Sequence, residues 1–277
     1  MRPCRLFLIF FMTFPVLAQS NFFTKGLINQ EDVLFNIKNI FEVSGGVFDV
    51  QRDCIWVIGD SSGSAKNPKR LRVSCHSLLS DKNKTYQIIN AENIDWEVIT
   101  IDSENNLWIL DVGDNLHNRN FVMAYKISAK QINERENLLV FRVDRKIKIY
   151  YKDGAMDVEA GFIANDKLYL IEKNIGMKQK IVSINLKIVL SVHYALPVTH
   201  LINMPYITDA VYADSDELFV LTYYGIFSFK DFLTNNSKIA DPYKLRYWGQ
   251  VESLVKNPYG PYSFIVGHED GRFFKVE

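Results

Sequence analysis

A repeat of roughly fifty residues is the feature that most constrains the fold of this chain. Five segments share one order: an apolar strand, a polar turn, and an aromatic-bearing strand that runs into a polar or glycine loop. The second strands read CIWVIGDSSG, NLWILDVGDN, KLYLIEKNIG, ELFVLTYYG and YSFIVGHEDG. Short strands that recur at this spacing, four to a unit, are typical of a β-propeller. The sequence therefore predicts an all-β fold of this class.

The aligned positions of the first strands set the number of units. They are Gly46, Glu97, Glu159, Asp209 and Glu252, at spacings of 51, 62, 50 and 43 residues. Five units predict five blades, and six is the alternative if the 62-residue interval holds additional strands. A β-sandwich is the main alternative fold, since sandwiches also contain many short strands.

The last unit ends without a fourth strand of its own. An N-terminal run, VLFNIKNIFEV at 33–43, belongs to no unit and could supply the missing strand. A run such as LLVFRVDRKIKIYY serves as the fourth strand of the second unit. We expect the N-terminal run to close the ring from both chain ends, because closure removes exposed sheet edges.

The N-terminus is typical of a secretory leader. Residues 1–18 combine a basic start, the apolar stretch LFLIFFMTF and small residues before the cleavage point. The apolar stretch is shorter than the roughly 20 residues of a membrane-spanning helix. We expect a secreted, extracellular protein with one propeller domain over 19–277 and no membrane span.

The balance of basic and acidic residues excludes a strong electrostatic field around the protein as a whole. The chain has 32 basic and 32 acidic residues, and removal of Arg2 and Arg5 with the leader leaves 30 against 32. Such a balance does not favour a nucleic-acid partner. We expect a monomer whose partner is a small ligand or an extracellular protein.

Two cysteines remain after the leader. CIWVIGD (54–60) and KRLRVSC (69–75) could form the two arms of one hairpin. If residue 60 pairs with residue 69, the register places Cys54 opposite Cys75. In an oxidising compartment this predicts a disulfide, with two free buried thiols as the alternative. The acceptor patterns at Asn83 and Asn235 predict N-glycosylation, or else they are unused surface asparagines.

Acidic residues recur at the strand ends of one predicted face. In a propeller blade, the loop that enters the inner strand and the loop between the second and third strands share a face. Glu97, Glu159, Asp209 and Glu252 from four units are the predicted ligands of a metal or other cation. The predicted supporting acids and amide on this face are Asp60, Asp95, Asp111, Asp114, Asn115 and Asp157, with Glu172 and Glu269 in the second loops.

Convergent carboxylates repel one another unless a cation or hydrogen-bond donors compensate. Oxygen ligands favour Ca²⁺ as the cofactor over Zn²⁺, which prefers His or Cys. An organic amine is a second candidate, because Trp96, Tyr223 and Tyr224 could make cation–π contacts. The alternative is that these acids bind backbone amides and only support the fold.

Four runs together carry a family resemblance. They are DWEVITIDSENNLWILDVGDN, YKDGAMDVEAGFIANDKLYLIEK, YITDAVYADSDELFVLTYYGIFSF and GQVESLVKNPYGPYSFIVGHE. In this order they resemble a family of secreted, largely uncharacterised β-propeller proteins with DWEDIA, GDIGDN, DAEAL and QGEAI motifs. Val98 stands where that family has an acid. The architecture is more distantly similar to calcium-dependent lactonases and to the yellow and royal-jelly proteins.

Signals for catalysis are weak. GDSSG places Ser61 in a G-x-S-x-G pattern, but that motif requires a strand, a turn and a helix, whereas here strands flank the loop. His117 or His268 could act as a general base beside a bound Ca²⁺. We therefore expect a binding protein for a cation, a small cationic ligand or a protein. A Ca²⁺-dependent lactonase or esterase and a structural matrix protein are the alternatives.

Overall fold

A computed structural model describes most of the chain after residue 32. The described residues are 33–60, 71–80, 83–134, 138–175, 178–198, 202, 204–213, 215–234, 238–239, 243–244, 250–259 and 263–276. The predicted leader, Ser61 and the Asn235 acceptor site lie outside them, so the structure does not bear on these predictions.

The described residues form 22 strands and one short helix. A first strand, β1 (Val33–Asn36), precedes the repeats. The first unit contains β2 (Val43–Asp49), β3 (Cys54–Gly59), β4 (Arg72–Ser77) and β5 (Asn83–Ile89). The second contains β6 (Trp96–Ile101), β7 (Leu107–Asp111), β8 (Val122–Ile127), α1 (Ala129–Glu134), β9 (Val140–Arg142) and β10 (Arg145–Tyr151).

The remaining units follow the same order. The third contains β11 (Val158–Ala164), β12 (Lys167–Glu172), β13 (Ile181–Asn185) and β14 (Val192–Pro197). The fourth contains β15 (Ile207–Ala213), β16 (Glu217–Thr222), β17 (Gly225–Lys230), β18 (Lys238–Ile239) and β19 (Tyr243–Lys244). The fifth contains β20 (Val251–Lys256), β21 (Phe264–His268) and β22 (Arg272–Val276). The all-β prediction is confirmed.

Burial explains why the second strands of the units are largely apolar while the outer strands alternate. Every residue of β3 and of β7 is buried, because neighbouring units cover both faces of these strands. Along β14, at the outer wall, buried and exposed residues alternate, as in a strand with one solvated face.

The first strand of each unit contacts the first strand of the next. These contacts join β2 to β6, β6 to β11, β11 to β15 and β15 to β20, and β20 also contacts β2. Separate apolar cores fill the spaces between successive units, and one core joins residues of the fifth and first units. The architecture is therefore β-propeller-like.

Two outer strands cross between units. The run LLVFRVDRKIKIYY, predicted as one strand, divides into β9 and β10. β9 pairs in parallel with β5 of the first unit, whereas β10 pairs antiparallel with β8 and in parallel with β14. The helix α1 and β9 account for the long second interval. At the other end of the sequence, β1 pairs antiparallel with β22.

The predicted disulfide is confirmed, and its register is corrected. Cys54 and Cys75 are bonded, with Cα atoms 5.6 Å apart. Cys54 lies opposite Ser77, and Trp56 lies opposite Cys75, so the prediction that the two cysteines face each other was wrong by two residues. The bond runs diagonally between positions on the same face of the sheet, where side chains are still within reach.

Replacement of both cysteines by serine should destabilise the fold. The bond closes a loop with a sequence separation of 21 residues. A loop of this size is worth about 3 kcal/mol of free energy of unfolding. Urea unfolding of Cys54→Ser/Cys75→Ser beside the oxidised wild type measures the loss. An unchanged unfolding midpoint would contradict a stabilising role for this bond.

Candidate functional site: a buried acidic cavity at the inner strands

A β-bulge recurs at the start of all five inner strands. The pairing of each inner strand with its neighbour skips one residue. The skipped residues, in chain order, are Ser44, Glu97, Glu159, Thr208 and Glu252. A bulged residue leaves the regular pairing and its side chain is redirected. The fold thus presents five polar side chains from equivalent positions.

The bulges correct the sequence alignment in two units. The equivalent of Glu97 is Ser44 instead of Gly46 in the first unit, and Thr208 instead of Asp209 in the fourth. The Ser44 hydroxyl donates to the carbonyl of Trp96, and the Thr208 hydroxyl donates to that of Val251 at 2.7 Å. Each of these carbonyls belongs to the residue before a bulged glutamate.

Asp209 supports the backbone. Its two carboxylate oxygens accept from the backbone amides of Ala210 and Leu254, each at 2.7 Å. Burial raises the pKa of Asp209 well above its usual range, although the two amides act in the opposite direction. Asp209 does not line the small cavity that contains the other three predicted ligands.

The other three predicted ligands, Glu97, Glu159 and Glu252, line one small cavity of about 130 Å³. We call it the acidic cavity. Its lining residues are Val43, Ser44, Asp60, Glu97, Asn115, Glu159, Lys173, Gln250, Glu252 and Glu269. Among these described residues, five are acidic and Lys173 is the only cation. The structure therefore brings acids from four units together at one end of the inner strands.

Three carboxylates form the tightest group. Asp60, Asp95 and Glu97 each place an oxygen so that all three lie within 4.8 Å of one another. Asp95 and Glu97 are close enough that a proton on either carboxyl could be shared between them. One oxygen of Asp60, Oδ1, is buried and has no hydrogen-bond partner in the part of the chain that the structure describes.

Burial and mutual repulsion raise the pKa values in this group. Burial raises the pKa of Asp60 to about 7, and the nearby charge of Glu42 adds to the effect. Burial also raises the pKa of Asp95 to about 6. The pKa of Glu97 lies well above its usual range because the side chain is fully buried and faces Glu159. Near neutral pH the group binds either protons or a cation.

Gly113 leaves room for this group. A Cβ atom at Gly113 would lie 2.4 Å from one oxygen of Asp95 and 2.9 Å from one oxygen of Glu97. These distances are shorter than van der Waals contact, so any larger residue would displace the carboxylates. Glycine at position 113 thus permits the close packing of this loop against the acids.

Lys173 neutralises the opposite side of the cavity. Its ammonium nitrogen lies 3.0 Å from an oxygen of Glu159 and 5.7 Å from the centre of the Tyr223 ring. The Tyr223 hydroxyl donates to Glu252 at 2.9 Å, while Oε2 of Glu252 is buried and has no hydrogen-bond partner among the residues that the structure describes. Burial raises the pKa of Glu252 to about 8, whereas the charge of Lys173 acts to lower it.

Sequence reasoning missed Lys173. It follows Glu172 directly in the loop after β12, at the end of the sheet where the acids were predicted to lie. Its position directly after a predicted acid of the same face was the available signal. Glu172 itself is buried, and its carboxylate accepts weakly from the Lys180 amide at 3.4 Å.

The predicted supporting acids bind backbone amides and one arginine. Asp111 accepts from the Asp95 amide and from the Arg119 guanidinium, both at 2.9 Å. Asp114 accepts from the amides of Asn118 and Arg119, and Asp157 accepts from the Asp114 amide at 2.8 Å. These three acids fix the loop after β7, whereas Asn115 lines the cavity.

Several other predicted contributors lie away from the cavity lining. Neither His117 nor His268 is among the lining residues that the structure describes. Trp96 is fully buried, and its indole donates to the Glu92 carbonyl at 2.8 Å, so its ring cannot receive a ligand. Of the three predicted aromatics, Tyr223 contacts the site through Glu252, and Tyr224 is exposed.

A larger cavity of about 490 Å³ lies beside the disulfide, at the turn between β2 and β3. The Arg52 guanidinium at its wall is already bonded to Asp49 and Asn133. Among its described lining residues, Asp53 is the only acid, so no group of acids converges there. Volume alone does not make it the better functional candidate, because the chemistry is concentrated in the acidic cavity.

Comparison with known proteins finds solved structures with a partly similar backbone course and low sequence identity. No family model and no curated protein matches the sequence. An inactive virginiamycin B lyase from Staphylococcus aureus, solved with Quinupristin, is 14% identical with a TM-score of 0.43; the match covers 84% of this chain and 65% of that one. The chain therefore spans slightly less than two thirds of the lyase.

Two further structures are similarly distant. Kuenenia stuttgartiensis hydrazine synthase is 10% identical with a TM-score of 0.46, over 83% of this chain and 75% of that one. A chain of the Mitotic Checkpoint Complex is 9% identical with a TM-score of 0.43, over 84% and 60% of the two chains. At this level of similarity, no activity or partner carries over to this protein.

Removal of the Lys173 charge should destabilise the protein. Lys173→Met leaves Glu159 and Glu252 buried without their cation, and breaking one side of a buried ion pair costs about 3–5 kcal/mol. The double variant Lys173→Met/Glu159→Gln removes both charges and should recover part of the loss. Urea unfolding of all three proteins checks this. Equal losses for the single and double variants would contradict the pairing.

The raised carboxyl pKa values also set a pH dependence. In the unfolded chain these groups titrate near pH 4, whereas Asp95, Asp60 and Glu252 titrate at about 6, 7 and 8 in the folded protein. The folded state therefore binds more protons between these limits. Without a cation, stability should fall as pH rises from about 4 to about 8. Lys173 stays charged throughout this range because its pKa is raised, so it does not reverse the sign.

Urea unfolding in EDTA at pH 5 and pH 8 measures this slope. The wild type should be more stable at pH 5, and Glu252→Gln should reduce the difference by a few kcal/mol, since one pKa unit corresponds to about 1.4 kcal/mol. Glu104→Gln is the matched control, because the Glu104 side chain is 77% exposed. Greater stability of the wild type at pH 8 would contradict the assignment.

Proposed function

We propose that the protein is a secreted, β-propeller-like binding protein that holds a cation at its acidic cavity. The ligands are Asp60 and Glu97 from the cavity lining and the adjacent Asp95. The observation that carries the proposal is the convergence of three carboxylate oxygens within 4.8 Å. The buried Oδ1 of Asp60 and Oε2 of Glu252 support it, since neither has a hydrogen-bond partner among the described residues. A buried polar atom without a partner is costly, and a bound ion would provide one.

The ligand chemistry favours Ca²⁺. The described lining contains carboxylate, amide and hydroxyl oxygens, and neither histidine nor cysteine. Oxygen ligands of this kind suit a hard cation, and Ca²⁺ accepts irregular sets of six to eight oxygens that include water. Asn115 could add an amide oxygen from the loop after β7. Proton release should accompany binding, because the carboxylates must ionise.

The proposed ligand set differs from the one that the sequence predicted. Glu159 and Glu252 share the charge of Lys173, and Asp209 binds backbone amides. Three bulged glutamates still surround the cavity. Of these, Glu97 alone belongs to the group with Asp60 and Asp95, which forms no ion pair with a lysine or arginine among the described residues.

We further propose that the units form a five-bladed ring closed by β1. Support comes from the contact between β20 and β2 and from the pairing of β1 with β22. Closure matters for the site, because the acids come from units that are distant in the sequence. Ring closure would hold the bulges of the first and last units at one axis.

A small organic amine is the second candidate ligand. Lys173 already places an alkylammonium group between Glu159 and the Tyr223 ring. The same acids and ring could accept an amine from solvent only if Lys173 moved. The metal proposal needs no such movement, so we place it first. A Ca²⁺-dependent hydrolase, a protein ligand and a matrix role remain further candidates that the following experiment separates.

Calorimetric melting in EDTA and then in millimolar Ca²⁺ tests the metal proposal. A ligand at about 100 times its dissociation constant adds roughly 2.7 kcal/mol, which raises the melting temperature of a domain of this size by about 5–10 °C. Asp60→Asn/Glu97→Gln should abolish the rise. The control Glu104→Gln/Asp153→Asn removes two exposed acids and should retain it.

The possible results lead to different conclusions. The absence of a wild-type shift with Ca²⁺, together with a shift on adding an alkylamine, would replace the metal by an amine. No shift with either ligand would leave a protein partner or a matrix role. If Ca²⁺ does bind, turnover of lactones or esters that chelation abolishes would establish the hydrolase.

A further inference from the structure

An exposed apolar and basic surface occupies the outer wall where the second and third units meet. It consists of β10, β14 and the turn 186–191 between β13 and β14, and we call it the basic–apolar wall. Its exposed apolar residues are Ile188, Val189, Leu190, Val192, Tyr194 and Leu196, with exposed fractions of 47%, 85%, 61%, 43%, 66% and 58%. Isolated exposed apolar residues are normal, whereas a contiguous group marks an interaction surface.

These residues do not lie on an unpaired sheet edge. β14 pairs with β13 on one side and with β10 on the other. In the parallel pairing, Val192 lies beside Lys148 and Tyr194 beside Tyr150, with the two tyrosine rings stacked 5.5 Å apart. The backbone of the wall is therefore satisfied within the fold, and its side chains are what it presents to a partner.

The turn that presents Val189 is held in place by a single arginine. The Arg145 guanidinium donates to the carbonyls of Leu186, Ile188 and Leu190, at 3.0, 2.6 and 3.4 Å. These bonds fix the backbone while the apolar side chains point outward. A turn held in this way loses little conformational entropy when it binds, so its exposed side chains are preorganised for contact.

The wall is strongly basic although the chain as a whole is neutral. The segments 145–152 and 187–197 contain five lysines and arginines and no aspartate or glutamate: Arg145, Lys146, Lys148, Lys152 and Lys187. Lys187 is paired with Asp166 from the adjacent turn at 2.7 Å. The Lys148 ammonium lies 4.0 Å from the centre of the Phe121 ring, which extends the wall with another aromatic residue.

We propose that the basic–apolar wall binds the surface of a membrane that contains anionic lipids. Lysine and arginine attract anionic head groups, and aliphatic side chains beside them can enter the boundary between head groups and acyl chains. Tyrosine suits the same boundary because its ring is apolar and its hydroxyl is polar. The apolar residues protrude at a turn instead of lining a groove, which fits a fluid lipid surface.

A second copy of this chain fits the wall less well. A two-fold interface places the same surface on both partners, so Lys146, Lys148 and Lys152 would face their own copies. Like charges in such an interface repel each other. The wall also lies beside the turns that follow third strands, at the end opposite to the loops of the acidic cavity. Membrane binding would therefore leave the cation site open to solvent.

Vesicle flotation in EDTA tests this proposal independently of the cation site. The probes are vesicles of phosphatidylcholine alone and vesicles that also contain phosphatidylserine. The wild type should float with the anionic vesicles and much less with the neutral ones, and high salt should weaken the binding. Because chelator is present throughout, failure of the Ca²⁺ proposal would not affect the result.

Two variants separate the parts of the wall. Val189→Ser/Leu190→Ser should lower partition into anionic vesicles by about tenfold or more. The matched control Val50→Ser/Leu116→Ser removes a valine and a leucine that are also exposed, 67% and 80%, but lie elsewhere, and it should bind like the wild type. Lys146→Gln/Lys152→Gln should reduce binding to anionic vesicles and weaken its salt dependence.

Three results would overturn the proposal. The first is a wild type that floats with neither kind of vesicle. The second is that Lys146→Gln/Lys152→Gln loses binding while Val189→Ser/Leu190→Ser binds like the wild type. The contact would then be nonspecific charge attraction. The third is a wild-type dimer in sedimentation equilibrium that Val189→Ser/Leu190→Ser converts to a monomer, which would make the wall a self-association surface.

Discussion

Mutual repulsion among buried carboxylates is the constraint on which the centre of this structure depends. A bulge at the start of each inner strand redirects one side chain, and in three of five units that side chain is a glutamate. Two more acids, Asp60 and Asp95, join the same region from loops. Burial without compensation would be strongly unfavourable, so each acid needs a donor, a proton or a cation.

The compensation differs from unit to unit, and this difference locates the proposed site. Hydroxyls replace acids at the bulges of Ser44 and Thr208, and they bind carbonyls of the next unit. Lys173 provides charge for Glu159 and Glu252. The remaining group of Asp60, Asp95 and Glu97 forms no ion pair with a lysine or arginine among the described residues. A bound cation is therefore expected where the protein supplies least compensation of its own.

Much of the fold could be predicted from the sequence, because strand patterns and repeat spacing are local properties. The inner strands and the bonded cysteine pair follow from such patterns. The bulges could not be seen, since one skipped residue leaves the apolar pattern almost unchanged; Asp209 was therefore aligned in place of Thr208. Lys173 and Arg119 were missed because their roles depend on contacts between distant segments. The turn held by Arg145 was also missed, because its exposure depends on contacts between distant segments. The neutral overall charge of the chain gives no sign of the local basic surface beside it.

Proton release on Ca²⁺ binding tests the central claim most directly. Ca²⁺ is titrated into weakly buffered protein at pH 6.5, and the released protons are counted while binding is followed by calorimetry. The account predicts binding with release of roughly one proton or more, because carboxyls with raised pKa values must ionise. Asp60→Asn/Glu97→Gln should lose both signals. The absence of Ca²⁺ binding, or binding without proton release, would contradict the account.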